Sequence, residues 1–115
     1  MVVLGNMRIE RREVNETGIR FSVMQEDREV GRAYLYFLRN DLHEQPFGLM
    51  EDIFINESQR GNGVGSRLVE RIIEEAKTRG CYKLICTSRS EKLKVHGLYE
   101  KLGFKDQGKE FRIDF

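Results

Sequence analysis

Ile53-Phe54-Ile55-Asn56-Glu57-Ser58-Gln59-Arg60-Gly61-Asn62-Gly63-Val64-Gly65-Ser66 is the stretch from which the fold can be read. Consecutive apolar residues at 53–55 end a strand in the manner of a buried one. Glycines then alternate at 61, 63 and 65. Beyond them Val64, Leu68, Val69, Ile72, Ile73 and Ala76 recur at helical spacing, with Arg67, Glu70, Arg71, Glu74 and Lys77 on the other side. The chain therefore passes from a strand, through a glycine loop, into an amphipathic helix that Gly80 stops. Glycine permits positive φ and lets a ligand approach the main chain with no Cβ in the way. The first amides of a helix lack internal partners and sit at the positive end of its dipole, so phosphates settle there. Arg60 adds a fixed positive charge. Taken alone, the loop also fits a flexible helix-start turn. It is not a P-loop, because Gly65 is followed by Ser66-Arg67 rather than by Lys-Ser or Lys-Thr. Nor is it a dinucleotide fingerprint, because Ser66 stands where the third glycine belongs.

Upstream, the period is two. Residues 7–14 form a charge-rich first strand in which Met7 and Ile9 alternate with Arg8 and Glu10. After the turn Asn15-Glu16-Thr17-Gly18, a second strand alternates Ile19, Phe21 and Val23 with Arg20 and Ser22. A third strand spans 30–38 and a fourth 49–55, separated by a mostly polar loop over 39–47. Downstream of the helix, 81–87 reads as a fifth strand. Ser88-Arg89-Ser90-Glu91 fits a capping box opening a second helix, whose apolar face is Val95, Leu98, Tyr99 and Leu102 and which Gly103 ends. Residues 104–106 and 111–115 read as a closing hairpin. Antiparallel strands come first, and the crossover helix makes the fifth strand parallel to the fourth.

The 115 residues suffice for one domain with its own core, expected to span 1–115, with Met7 as an alternative start and 1–6 as a disordered extension. Charged residues are 34% of the chain but the net charge is only +1, so no basic excess points to nucleic acid. The opening Met1-Val2-Val3-Leu4 is too short for a signal peptide, and no apolar run reaches membrane-spanning length, so a cytoplasmic protein without a membrane partner is expected. Cys81 and Cys86 fall in one strand at odd separation, hence on opposite faces, and read as reduced thiols. With His43 and His96 they show no metal-ligand spacing.

Arg60-x-x-Gly63-x-Gly65, between an apolar strand end and an amphipathic helix, resembles the Q/R-x-x-G-x-G/A acetyl-CoA motif of the GNAT superfamily, the general-control-related N-acetyltransferases. Leu98-Tyr99-Glu100-Lys101-Leu102-Gly103-Phe104 is similar to that family's F/L-Y-x-x-x-G-F signature, and the resemblance covers roughly residues 29–115. It implies an α/β (α+β) fold: a mixed, mostly antiparallel central sheet with splayed fourth and fifth strands and two flanking helices. It implies an acetyl-CoA-dependent N-acetyltransferase that moves acetyl to a primary amine, of a small molecule or a protein, by direct transfer in a ternary complex. The coenzyme pyrophosphate would lie on the loop amides of Arg60, Gly61, Asn62, Gly63, Val64, Gly65 and Ser66. The pantetheine arm would pair like a strand with Ile53, Phe54 and Ile55.

By the same resemblance Tyr99 points at the thioester sulphur and serves as the acid, although its place beside Val95 and Leu102 also fits plain packing. The strand Leu49-Met50-Glu51-Asp52-Ile53-Phe54-Ile55 looks like that of polyamine-type members, which makes Glu51 the base, acting through a water, and Asp52 a structural neighbour. Adjacent strand residues face opposite ways, so one of the pair faces the site. The Phe54 or Ile55 amide is placed to stabilise an oxyanion. His96 reads as a part-exposed helix residue and His43 as a solvated loop residue.

Two departures from the family are visible. Lys92 stands where an Asn usually bonds the pantetheine, seven residues before the tyrosine, and could reach a phosphate or carbonyl instead. The usual helix pair between the first two strands is missing, which leaves the acceptor groove open, or closed by the 39–47 loop with its Asp41 and Glu44 and by a second subunit of a homodimer. The rival reading is a non-catalytic acyl-CoA-binding sensor or interaction module. A nucleotide-phosphate binder is a third.

Overall fold

The computed structural model describes residues 3–15 and 17–115, with the side chains of Val3 and Leu4 left aside. Six strands lie in sequence order: β1 (Val3–Leu4), β2 (Met7–Asn15), β3 (Gly18–Gln25), β4 (Arg28–Leu38), β5 (Phe47–Ile55) and β6 (Leu84–Cys86). All neighbours are antiparallel except β5 and β6, which are parallel and joined by helix α1 (Val64–Thr78). A single 3-10 turn, Glu57–Gln59, precedes the glycine loop, and α2 (Leu93–Lys101) follows β6. The strand expected at 7–14 is β2. The short β1 before it pairs Val3 with Arg8 and Leu4 with Met7, where an unstructured extension was expected. Met1 and Val2 lie outside the described residues.

One face of the sheet holds the core. Ile9, Ile19, Phe21, Val23, Val30, Ala33, Leu35 and Met50 meet Val64, Leu68, Val69, Ile72 and Ala76 of α1. The helix binds there because its apolar stripe is continuous, and each fully buried Leu, Ile or Phe contributes about 1.5–3 kcal/mol. Glu75, only 8% exposed on the same helix, is tied to the sheet by Arg11 of β2 at 3.2 Å and supported by Arg71 at 2.9 Å and Arg79 at 3.9 Å. At the far end of α1, Gly80 N donates to Lys77 O and Cys81 N to Ala76 O, a Schellman closure that turns the chain toward β6.

β2 turns directly into β3, with Thr17 N donating to Asn15 Oδ1 at 2.8 Å, so no helix pair intervenes. The opposite sheet face carries Arg20, Ser22, Arg32, Tyr34, Tyr36, Leu49, Glu51 and Phe54, because β4 and β5 pair Arg32 with Phe54, Tyr34 with Glu51 and Tyr36 with Leu49.

Four further sequence expectations require correction. The fifth strand covers only Leu84–Cys86, not 81–87. Cys81 therefore precedes the strand, and both cysteines pack against the same core cluster rather than on opposite faces; both are free thiols. The capping box does not form. Helix α2 starts at Leu93 after Lys92, without a side-chain cap, because Ser88 is drawn into the interior and 89–92 make a separate turn with Lys92 N donating to Arg89 O. The closing hairpin is also not seen. Phe104 packs on the core, but every residue of 105–115 is exposed. Alternation there supplies strand propensity without an apolar surface of this protomer to cover.

Candidate active site

β6 accompanies β5 only through Gly48–Leu84, Leu49–Ile85 and Met50–Cys86. From Glu51 to Ile55, β5 has β4 on one side and no strand on the other. Main-chain groups of 51–55 thus face an opening that an extended ligand can pair with. The strand is also bent there. Asp52 has φ 52°, a left-handed conformation unusual for a residue other than glycine, and the register with β4 shifts between Arg32 and Tyr34. Arg32 Nη1 donates to the Asp52 carbonyl and holds the bulge. As a result Glu51 and Phe54, three apart, share one face, while Ile53 and Ile55 pack on the core.

The glycine loop lies where β5 ends. Gly61 and Gly63 have φ 83° and 78°, and a Cβ at either would meet nothing within 4 Å. Gly63 occupies the N-cap of α1 and, having no side chain, leaves the first helical amides uncapped; the first helical bond is Arg67 N to Gly63 O at 3.1 Å. Asn62, Gly63, Val64 and Arg67, with Gly5 and Met7, line a concavity of about 360 Å³. Arg60 is not among these lining residues. Its Nε donates to Ile55 O at 2.9 Å and its guanidinium lies 5.7 Å from the Phe54 ring, which Arg32 approaches from 5.4 Å. Arg67 is the cation at the concavity itself, a residue that sequence reasoning placed only on the solvent face of the helix.

Tyr99, half-buried on α2, packs against the core cluster with its ring 5.4 Å from that of Phe104. Burial, reinforced by the neighbouring Cys86 thiol, pushes its hydroxyl up to about 12. Burial likewise pushes Cys86 up to about 11, so neither group is charged at neutral pH. The Cys86 thiol that adds to this rise belongs to Met50–Cys86, the last pair formed by β5 and β6.

Glu51 is half-buried one residue beyond that pair, opposite Tyr34. The Tyr34 and Tyr36 rings stack at 6.0 Å with 4° between their planes, and Arg20 donates to the Tyr34 hydroxyl. Asp52 is exposed at the bulge. Lys92 is exposed ahead of α2. His96 Nε2 lies 2.8 Å from Arg89 O and secures the turn before α2. His43 stacks on Tyr82 at 4.5 Å, remote in sequence from the opening. Among the described residues no cluster of three or more His, Cys, Asp or Glu could hold a metal.

Ser88, just beyond β6, was the residue missed. Its Oγ is buried without a hydrogen-bond partner among the described residues. An orphaned hydroxyl costs about 1–3 kcal/mol, so it marks a place where a polar ligand fits. The uncapped amides, the Cβ-free approach at Gly61 and Gly63, the unpaired edge of β5 and this hydroxyl together suit a long, polar, phosphate-bearing group.

A sheet opened at its one parallel pair, with an anion-accepting helix start at the opening, defines an acyl-coenzyme A-type transferase fold. The model of the acetyltransferase (GNAT) family matches residues 6–104, and the chain belongs to that family. Glucosamine 6-phosphate N-acetyltransferase 1 of Oryza sativa subsp. japonica is 37% identical over 68 residues, 59% of this chain and 39% of the relative. The glucosamine 6-phosphate N-acetyltransferase of Candida albicans is 34% identical over 87 residues, 75% of this chain and 56% of the relative. The chain thus spans less than two thirds of these curated relatives. Among solved structures, an acetyltransferase of Trypanosoma brucei superposes with a TM-score of 0.78 at 29% identity, covering 86% of this chain and 70% of that one.

Proposed function

We propose that residues 1–115 form a single N-acetyltransferase domain that transfers the acetyl group of acetyl-CoA to a primary amine in a ternary complex. The observation that carries this reading is the parting of β5 from β6 directly after Met50–Cys86, with the glycine loop at the end of β5. Acetyl-CoA supplies the activated acetyl as a thioester. The amides of 61–66, with Arg67 beside them, hold its pyrophosphate, and the open edge at Ile53, Phe54 and Ile55 orders its pantetheine arm. The bound ligand would also give Ser88 Oγ its partner, and the exposed Lys92 would reach a phosphate or carbonyl.

The chain's own groups then handle two protons and one developing charge. An alkylammonium of pKa about 10.4 must be deprotonated before it attacks. Glu51, on the open sheet face beside Tyr34, takes that proton through a water. The Phe54 or Ile55 amide stabilises the oxyanion. Tyr99 stays protonated at working pH and lies well above a thiol's ordinary value of about 8.5. It therefore acts by donating a hydrogen bond to the departing sulphur, which takes up the second proton, lost by the attacking nitrogen as the tetrahedral intermediate collapses and the C–S bond breaks.

The relatives' names make an amino-sugar phosphate the first acceptor to test. The reading includes a homodimer and, on its two free thiols, a cytoplasmic setting. A free-thiol assay with acetyl-CoA and a panel of amines, glucosamine 6-phosphate included, tests it. Amine-dependent thiol release is expected. Tight acetyl-CoA binding without turnover on any amine would leave the non-catalytic acyl-CoA module standing instead.

A further inference from the structure

The open sheet face divides into an aromatic part and a charged part. Gly18 is buried and pairs with Tyr36, and a Cβ on it would lie 3.0 Å from Cδ1 and Cε1 of that ring. The Tyr36 ring therefore leans over the glycine, close against the sheet. Tyr34, two residues back on β4, holds its ring parallel to within 4°, so the two form one broad aromatic surface along the strand. Leu49 continues it across the sheet, because it pairs with Tyr36 on one side and with the 40% exposed Ile85 on the other.

The charges on this face are settled, with one exception. Arg20 donates to both carboxylate oxygens of Glu29 and to the Tyr34 hydroxyl, and Glu29 also accepts from Ser22 Oγ. Arg32 is held by the Asp52 carbonyl and lies over the Phe54 ring. Lys83 Nζ sits over the rings of Phe47 and Tyr82, at 4.9 and 5.4 Å. Phe47 is at the start of β5, about 13 Å of strand away from Glu51. Glu51 itself has no ion-pair partner among the described residues. An ammonium group arriving here meets an unpaired carboxylate, and the body attached to it meets rings and apolar side chains. A phosphate on that body meets only cations that are already engaged.

We infer that the acceptor is a primary amine on a short chain that ends in a flat aromatic ring and carries no acidic group. This rests on the N-acetyltransferase reading and names the substrate class of that site: ammonium beside Glu51, ring on Tyr34 and Tyr36. Opposed residues such as Glu51 and Tyr34 have Cβ atoms about 5 Å apart, and Tyr36 lies roughly 7 Å further along β4, so a short alkyl spacer joins the two subsites. Apolar bulk alone has no use for parallel rings, whereas an aromatic guest gains from ring-on-ring geometry beyond the area it buries. Transfer gives the N-acetylated aryl amine and the free thiol of coenzyme A, with nothing further consumed.

Thiol release from acetyl-CoA with 2-phenylethylamine, 2-cyclohexylethylamine and glucosamine 6-phosphate tests this. The first two acceptors differ in the flatness of the ring and barely in size. The kcat/KM for 2-phenylethylamine should exceed that for the cyclohexyl amine by about fivefold, the gain expected of one ring–ring contact. It should exceed that for glucosamine 6-phosphate by about tenfold or more, because the phosphate is left without a free partner. Tyr36→Leu keeps apolar bulk but loses the plane, and should bring the phenyl-to-cyclohexyl ratio close to unity. Equal rates for the two ring amines, or glucosamine 6-phosphate as the best acceptor, overturn this inference and leave the acetyltransferase standing. Turnover on other amines of the panel but not on 2-phenylethylamine does the same, as does a ratio unmoved in Tyr36→Leu. No amine-dependent thiol release at all overturns the acetyltransferase reading and this inference with it. If Tyr36→Leu does not fold, the order of rates in the unaltered chain decides.

Discussion

Met50 and Cys86 are the last paired residues of β5 and β6, and beyond them this parallel pair comes apart. Both side chains lie on the core face, Met50 fully buried and Cys86 packed against the cluster beside Tyr99. The fork is thus braced from beneath by apolar contacts, while the main chain above it is left unpaired.

Tyr99 gives the first prediction. Tyr99→Phe keeps the ring and its contact with Phe104 but removes the donor. A fall in kcat of about 10²-fold is expected for losing one positioned proton donor, with the KM for acetyl-CoA changed less than threefold. Steady-state kinetics on the acceptor found in the amine panel measures both. A rise in KM at constant kcat would reduce Tyr99 to a packing or binding residue.

Glu51→Gln tests the base. Without the carboxylate the amine must arrive already neutral, so the rising limb of kcat/KM should move to higher pH and the rate at pH 7 should fall on the order of 10²-fold. The profile above pH 9 should approach that of the unaltered protein. A profile with unmoved limbs would remove Glu51 from proton transfer.

Much of this site is legible in the residues alone, and its gaps have physical causes. Alternation in 19–23 and the 3.6-residue stripe from Val64 to Ala76 report burial on one face, which is local information. The bulge at Asp52 leaves no such trace. Nothing in Glu51-Asp52-Ile53 signals a positive φ, yet the inserted residue puts Glu51 and Phe54 on one face, where plain alternation separates them. Ser88 reads as a helix cap because Ser and Glu three apart carry that meaning locally. Tertiary packing instead buries the hydroxyl just beyond β6. In 111–115 the period-two pattern suggests a strand, but its apolar residues stay exposed and no hairpin forms, because a period carries no information on whether a surface is there to cover.

Gly63→Ala separates ligand approach from fold. At φ 78° an alanine is strained by roughly 1–2 kcal/mol, and its Cβ meets no protein atom within 4 Å. The methyl group projects into space otherwise open to a phosphate. Stability should therefore fall by about 1 kcal/mol in urea unfolding, while the Kd for coenzyme A rises tenfold or more. A stability loss of that size with unchanged affinity would show that the loop is only a turn.

Glu75 tests how α1 is held to the sheet. Its carboxylate is shared by Arg11, Arg71 and Arg79, whose own side chains are partly solvated. Removing one partner of a deeply buried pair costs about 3–5 kcal/mol, and here the arginines can return to water. Glu75→Ala should then destabilise the protein by about 2 kcal/mol, measured by urea unfolding at low and high salt. A loss below about 0.5 kcal/mol would mean that apolar packing of Leu68 and Ile72 alone fixes the helix.

Glu29 sets an acid limit on the open sheet face. Burial opposes its ionisation, but hydrogen bonds from Arg20, at 3.1 and 2.5 Å, and from Ser22, at 2.6 Å, outweigh it and hold the carboxyl below its ordinary value. A carboxyl with a lowered folded pKa contributes stability that is present above its unfolded pKa and lost as pH falls through the folded one. Thermal unfolding of the native chain should therefore lose more stability between pH 5 and 3 than that of Glu29→Gln, which has no proton to take up there. At pH 7 the variant should be the less stable of the two, because Arg20 and Ser22 lose a charged partner. Parallel curves for the two proteins between pH 7 and 3 would show that solvent screens the Arg20–Glu29 pair too well for it to matter.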